Sequence, residues 1–409
     1  RVVTRVYTPG SLYEEELIGE GGSALLASVV MKGDKLGIAV IDPSSGRASS
    51  TEYEGPGRFE RMRDELLRWA PREVVMTSKD SKHEDVMRIF QDIDGLLLSV
   101  HDLPSKGRLQ ALRNVLEMSD LGSLDLDSRP QAMEAAGLAT AYLSKLHLVD
   151  SVPLREINLG ADSSHMLLDQ TTLRNLELTH TLSGEKTGSL MHSIDSTQTW
   201  MGRRLLKEWL LRPLMDSSSI SERHAAVANL VNANRRLREI RESLKAMRDL
   251  ERLSTRLAYN RVNGRDLLAI ADCLGRMPTL QALLTESENT LLNQCAEGLT
   301  DLESLKEKIL DALLDEQPAL IREGKMFRQG FDNKLDDLRA KANKGTTWLS
   351  DLEKSERERL EIPSLKVRFN RQFGYFIEVT KTHLDKIPDE WIRRQTMTNA
   401  ERYTTDELK

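Results

Sequence analysis

Cysteine is nearly absent: Cys273 and Cys295 are the only two in 409 residues, 22 positions apart. That spacing does not supply the paired thiolates of a zinc site, and the scarcity fits a reduced, intracellular setting. The eight histidines are scattered, with no HxH or HExxH pattern, so no metal site is expected. No stretch approaches the ~18 consecutive apolar residues of a membrane span, and no membrane partner is expected. The opening RVVTRVYTPG has neither an initiator Met nor a signal-peptide pattern, so it carries no legible address. No repeat unit or low-complexity tract occurs.

What is present suits a helix-rich protein with room for two to four domains: 39% hydrophobic and 30% charged residues. The net charge of −6 conceals an asymmetry, because residues 200–265 hold 15 Lys/Arg against 7 Asp/Glu. A basic segment in an acidic chain marks either a polyanion site or the solvated outer face of long helices. Here arginines pairing with neighbouring acids on a helix surface is the favoured reading.

Along the chain, Leu25–Met31, Leu36–Asp42 and Arg47–Glu54 read as three strands joined by polar turns. A helix is expected at Arg58–Trp69 and a strand at Glu73–Met76, with further alternation to about Val100: an α/β unit opened by a meander. Residues 131–146 form a helix of good helix formers. After about residue 175 the pattern is helical. Met201, Leu205 and Trp209 recur at i, i+4 with Leu210 beside them, and are expected to build the helical core. A basic helix is expected over 235–258. In 330–360, Phe331, Leu335, Leu338, Ala342, Leu349 and Leu352 trace a near-heptad seam that calls for a partner helix.

The C-terminal region carries most information. SLKVRFNRQFGYFIEVTK alternates apolar and polar residues around a polar turn near Asn370–Gln372, as a β-hairpin does. WIRRQTMTNAERYTTDELK then presents Arg393, Arg394, Gln395, Thr396, Thr398 and Asn399, donors suited to phosphate oxygens. Between 362 and 405 there are eight Lys/Arg and five Asp/Glu. The chain stops without a closing element, and is expected to be cut within a domain.

Four blocks in order, RVVTRVYTPGSL, MLLDQTTLRNLEL with GSLMHSIDSTQTWMGRRLLKEWLLRPL, DLERLSTRLAYNRVNGRDL, and the C-terminal run just quoted, resemble the MutS family of DNA mismatch-repair proteins. The resemblance implies an α+β multidomain chain. An exit segment of a mismatch-binding domain would occupy 1–12, an RNase H-like α/β connector 13–130, a mostly helical core with long lever helices 131–354, and an incomplete, β-rich clamp 355–409. It implies binding of mismatched double-stranded DNA, a second MutS-type subunit in a homo- or heterodimer, and a MutL-type partner. The location implied is at DNA inside the cell: the bacterial cytoplasm, or a nucleus or mitochondrion.

Two family parts are expected to lie outside this sequence. One is the domain whose Phe-x-Glu motif wedges beside the mispaired base. The other is the ATPase domain that binds ATP and Mg, since no G-x-x-x-x-G-K-[ST] occurs here. Gly184–Thr187 (GEKT) is a loop rather than a P-loop, and Phe376–Glu378 (FIE) is a decoy within the clamp hairpin. This chain is therefore not expected to hydrolyse ATP, whereas a full-length member would be a DNA-dependent ATPase. Without its wedge, the fragment is expected to hold DNA weakly and to discriminate poorly.

Where the family usually reads Leu-Lys-Asn-Ala-Glu-Arg, this chain has Met397-Thr398-Asn399-Ala400-Glu401-Arg402, so one cationic phosphate contact is missing at Thr398. Arg402 and Tyr403 divide between DNA contact and internal packing. Three other classes fit parts of the sequence: an RNase H-like nuclease using Asp42, a helical scaffold without nucleic-acid function, and a recombination-type relative that does not repair mismatches. The nuclease lacks an acid on its first strand, LLASVVMKG.

Overall fold

The computed structural model describes residues 6–18, 22–118, 129–147, 149, 152–159, 165–318, 320–370 and 374–408. They fall into two compact units, Arg1–Met326 and Phe327–Lys409.

In the first unit, Leu26–Lys32 (β1), Lys35–Asp42 (β2) and Arg47–Glu54 (β3) form the expected antiparallel meander. Glu73–Met76 (β4) runs parallel to β1, Leu97–Val100 (β5) parallel to β4, and Glu156–Leu159 (β6) parallel to β3. The order is β5-β4-β1-β2-β3-β6, the mixed sheet of the RNase H-like connector. β1 and β2 read as nearly continuous apolar runs because both faces are covered. Leu26 and Val30 point to a core shared with Met133, Leu138 and Leu143, while Ala27 and Val29 point to one shared with Met62, Leu66 and Phe90. The Arg58–Trp69 helix supplies two of the latter residues.

The helix Pro130–His147 corrects the expectation that the helical core starts at residue 131. It lies across the sheet: Ser28 Oγ donates to Ala135 O at 2.6 Å and Ser50 Oγ to Ala132 O at 2.7 Å. A Cβ at Gly37 would fall 1.9 Å from Gln131 O, and one at Gly137 would fall 2.1 Å from Arg108 O of the neighbouring helix Ser105–Met118. Its small residues let it pass between the sheet and a second helix, so it is buried nearly all round. With β6 also in the sheet, the α/β layer extends to Leu159.

The helical part contains Trp200–Leu211, Ser217–Asn232, Asn234–Lys245, Leu250–Ala258, Gly264–Thr285 and Glu303–Ala312. The basic stretch read as one helix over 235–258 is two, because Asp249 caps a new start and accepts from Arg252 N–H. Gly264–Thr285 is long and apolar enough, by length and composition, to cross a bilayer. Its Leu280 and Leu283 pack on Ile240, and its Ile270 and Leu274 on Leu253, as in a core helix.

The stripe on Trp200–Leu211 is the second correction. Leu205 and Trp209 are 38% and 41% exposed, and Met201 and Leu210 are only half-buried. The inward face is the charged one: Arg204 grips Asp249 and Glu251 at 2.7 and 2.6 Å, and Glu208 meets Arg47 at 2.9 Å. Leu211 is the side chain this helix buries. Periodicity shows that a helix has an apolar face, not which neighbours claim it.

In the second unit, Asp332 caps the helix Asn333–Arg359, which rises ~40 Å at ~1.5 Å per residue. This long helix, expected with the helical core, thus belongs with the C-terminal sheet. Of its expected seam, Phe331 and Leu338 are exposed, whereas Leu349 and Leu352 pack on Ile362, Leu365, Ile377 and Trp391. The sheet comprises Lys366–Asn370 (β7), Gly374–Thr380 (β8), Ile392–Thr396 (β9) and Ala400–Thr404 (β10), all antiparallel in the order β7-β8-β10-β9. The expected hairpin is β7–β8; its turn at Arg371, Gln372 and Phe373 lies outside the described residues.

Candidate nucleic-acid interface

Four of the six donors expected to meet phosphates, Arg393, Arg394, Gln395 and Thr396, stand on β9, and Thr398 and Asn399 on the turn into β10. β9 is an edge strand, exposed at all five positions. The sheet pairs it on one side only, so its side chains and outer edge face solvent. A register shift against β10 leaves Arg394 without an opposing residue: Gln395 faces Arg402, and the next pair is Arg393 with Tyr403. Such a bulge twists the strand and re-aims the side chain at the kink. The turn is closed by Met397 N–H donating to Ala400 O at 2.8 Å, and Asn399 O accepts from Lys381 N–H at 3.1 Å.

The six do not form one face. Gln395 is held from behind: its Oε1 accepts from Arg402 Nη1 at 2.9 Å, and Arg402 Nε donates to Glu378 Oε2 at 3.0 Å. Arg393 lies 3.6 Å from Glu401 but stays 63% exposed, with the carboxylate largely covered. Arg394 has no acidic partner among the described residues. Two Arg, two Thr, a Gln and an Asn therefore line a ribbon and its tip, a linear array of donors.

Arg402 and Tyr403, left between two roles by the sequence, are structural. Arg402 stacks 4.6 Å over the Phe376 ring. Tyr403 is buried, its hydroxyl donates to Glu401 at 2.5 Å, and burial, then that bond, pushes its pKa up to about 12. Phe376 and Glu378 share one strand face beneath Arg402, so the FIE triplet is occupied internally.

Part of the basic segment 200–265 is paired with acids: Arg204 with Asp249 and Glu251, Arg235 with Glu239, Arg256 with Asp266. Asp42, the acid of the nuclease reading, accepts from Ser44 N–H and Oγ at 2.9 and 2.6 Å as a turn former. Among the described residues no three His, Cys, Asp or Glu side chains converge as metal ligands.

Sequence reasoning missed a cavity of ≈420 Å³ in the first unit, whose walls include Arg72, Lys186, Arg203 and Lys207. Those residues come from separate stretches of chain, and no local pattern announces them.

Comparisons with known proteins agree with this architecture. Residues 24–155 match the model of MutS domain II, across the Pro130–His147 helix, and residues 171–399 match MutS domain III. The chain is 37% identical over 414 residues to the DNA mismatch repair protein MutS of Desulforamulus reducens, covering 100% of this chain and 47% of that protein. It is 35% identical over 415 residues to that of Halothermothrix orenii (100% and 46%), and 34% over 419 residues to that of Methanococcoides burtonii (100% and 47%). The chain spans about half the length of the curated relatives it matches.

Proposed function

The chain belongs to the MutS family, and on that premise we propose that it is the connector, core and clamp portion of a protein that recognises mismatched double-stranded DNA. The observation that carries the reading is the exposed β9 edge, with Arg393, Arg394 and Thr396 on the strand and Thr398 and Asn399 at its tip. Guanidinium, amide and hydroxyl donors meet phosphate oxygens without reading bases. A mismatch sensor needs that indifference, because errors arise in any sequence. Discrimination then comes from deformability, as a mispaired step kinks more cheaply than a paired one.

In this account the long helix Asn333–Arg359 holds the gripping sheet at one end of a stiff element, and the helical part supplies structure rather than chemistry. ATP and Mg bind in a domain of the whole protein beyond this chain, the hydrolysis being DNA-dependent. The protein works inside the cell at DNA, as a dimer with a second MutS-type subunit and with a MutL-type partner. The location of four of the donors on an exposed edge strand and two on its turn supports the DNA reading.

The test is fluorescence anisotropy with a labelled homoduplex and a duplex of the same sequence carrying one mismatch. The chain is expected to bind both, with affinities within about threefold and lost between 50 and 200 mM salt, as backbone contacts require. Absence of binding at 50 mM salt, or binding unaffected by salt, overturns the reading.

A further inference from the structure

The ≈420 Å³ cavity in the first unit lies between the sheet and the helical part, bordered by β2, β3, the Arg58–Trp69 helix, the loop before residue 190 and the Trp200–Leu211 helix. Seven Lys/Arg and two carboxylates, Asp42 and Glu208, line it. Four of the arginines are already engaged: Arg47 with Glu208, Arg68 with Glu65, Arg203 with Asp195, Arg204 with Asp249. The side chains of Arg72, Lys186 and Lys207 have no carboxylate partner among the described residues.

Lys186, Lys207 and His180 stand on the same lining. Burial, and then Lys186, hold the Lys207 ammonium below the ordinary lysine range; burial, and then both lysines, lower His180. Asp42 accepts from Ser44 and Glu208 pairs with Arg47, and neither forms an ion pair with the lysines among the described residues. The fully buried Ser45 Oγ on the same lining also lacks a hydrogen-bond partner. Seven cations against two carboxylates on one concave lining favour the entry of an anion. The lining also carries the rings of Trp69 and Trp200.

We infer that this cavity binds a compact phosphate-bearing anion, with Lys186, Lys207 and Arg72 on its phosphoryl oxygens. A lysine meets phosphate as a point charge, and the volume lies within the range of small-molecule sites. Aromatic rings on the lining offer a nucleoside a partner, so the phosphate has two sources: an inorganic polyphosphate or a nucleotide. This inference stands apart from the β9 grip, since the residues belong to the other compact unit.

Isothermal calorimetry of the 409-residue chain with sodium pyrophosphate and, separately, ADP at low salt tests it. Saturable binding of at least one probe at one site per chain is expected. Lys207→Gln and the exposed Lys186→Gln should each weaken it about tenfold, as loss of one charge-assisted contact does, and Lys207→Arg should retain most of it. Circular dichroism melting establishes that the variants fold, and Lys186→Gln carries the test should Lys207→Gln not. ADP binding more tightly than pyrophosphate assigns the nucleotide; equal affinities assign the phosphoryl group alone. No saturable heat from either probe up to about 1 mM overturns the inference. So does binding indifferent to both lysine substitutions, or abolished by Arg393→Ala.

Discussion

The Arg402 guanidinium stacks 4.6 Å over the Phe376 ring while its Nε donates to Glu378 Oε2 at 3.0 Å and its Nη1 to Gln395 Oε1 at 2.9 Å. One side chain thus ties three strands, β8, β10 and β9, and sets the position of the edge strand. Arg402→Ala should destabilise the C-terminal unit by about 2 kcal/mol, combining a charge-assisted hydrogen bond and a cation–π contact discounted for partial exposure. Urea unfolding followed by Trp391 fluorescence, in a background with the other four tryptophans replaced by Phe, measures it; a loss under about 0.5 kcal/mol would deny Arg402 this role.

Exposure along the Trp200–Leu211 helix yields a second expectation. Leu205 is 38% exposed and Leu211 6%. Leu205→Ala should cost less than about 1 kcal/mol, and Leu211→Ala about 2–4 kcal/mol, the range of a buried leucine whose cavity collapses partly. Equal costs in urea unfolding of the chain would restore Leu205 to the core.

Asp216 caps the Ser217–Asn232 helix, and hydrogen bonds, first from the Ser218 side chain and then from Ser219, lower its pKa from 3.8 to about 2. A folded-state pKa depressed below the unfolded value gives stability present above about pH 4 and lost as pH falls towards about 2. The urea midpoint of Asp216→Ala should therefore lie below that of the parent chain at pH 7, and the gap should narrow below pH 4. A gap that is constant, or that widens with acid, contradicts the assignment.

Much of this architecture was legible because local chemistry dictated it. Asp42–Arg47 and Lys32–Lys35 bracket three strands with turn residues, and Arg58–Trp69 and Glu73–Met76 were bounded as observed. What failed was tertiary. The residues of Pro130–His147 read as good helix formers, but nothing local says that Gly37 and Gly137 let that helix pass between a sheet and another helix. Trp209 and Leu205 read as core by period alone, whereas Arg204 and Glu208 found their acids and base on distant segments. The candidate site was half legible. The donor types of β9 were visible, but not the register shift at Arg394 or the Arg402 brace, which depend on strand pairing.

The salt dependence of duplex binding by the chain, its Arg393→Ala/Arg394→Ala variant and its Thr398→Lys variant tests the central claim most directly. Each phosphate contact contributes about −0.9 to the slope of log K against log salt. Loss of both arginines should flatten the slope by up to about 1.8 and weaken binding equally for all sequences. Thr398→Lys, which adds a cation at the turn, should steepen it by about 0.9. Identical slopes for all three proteins would contradict a grip on DNA by β9 and its turn.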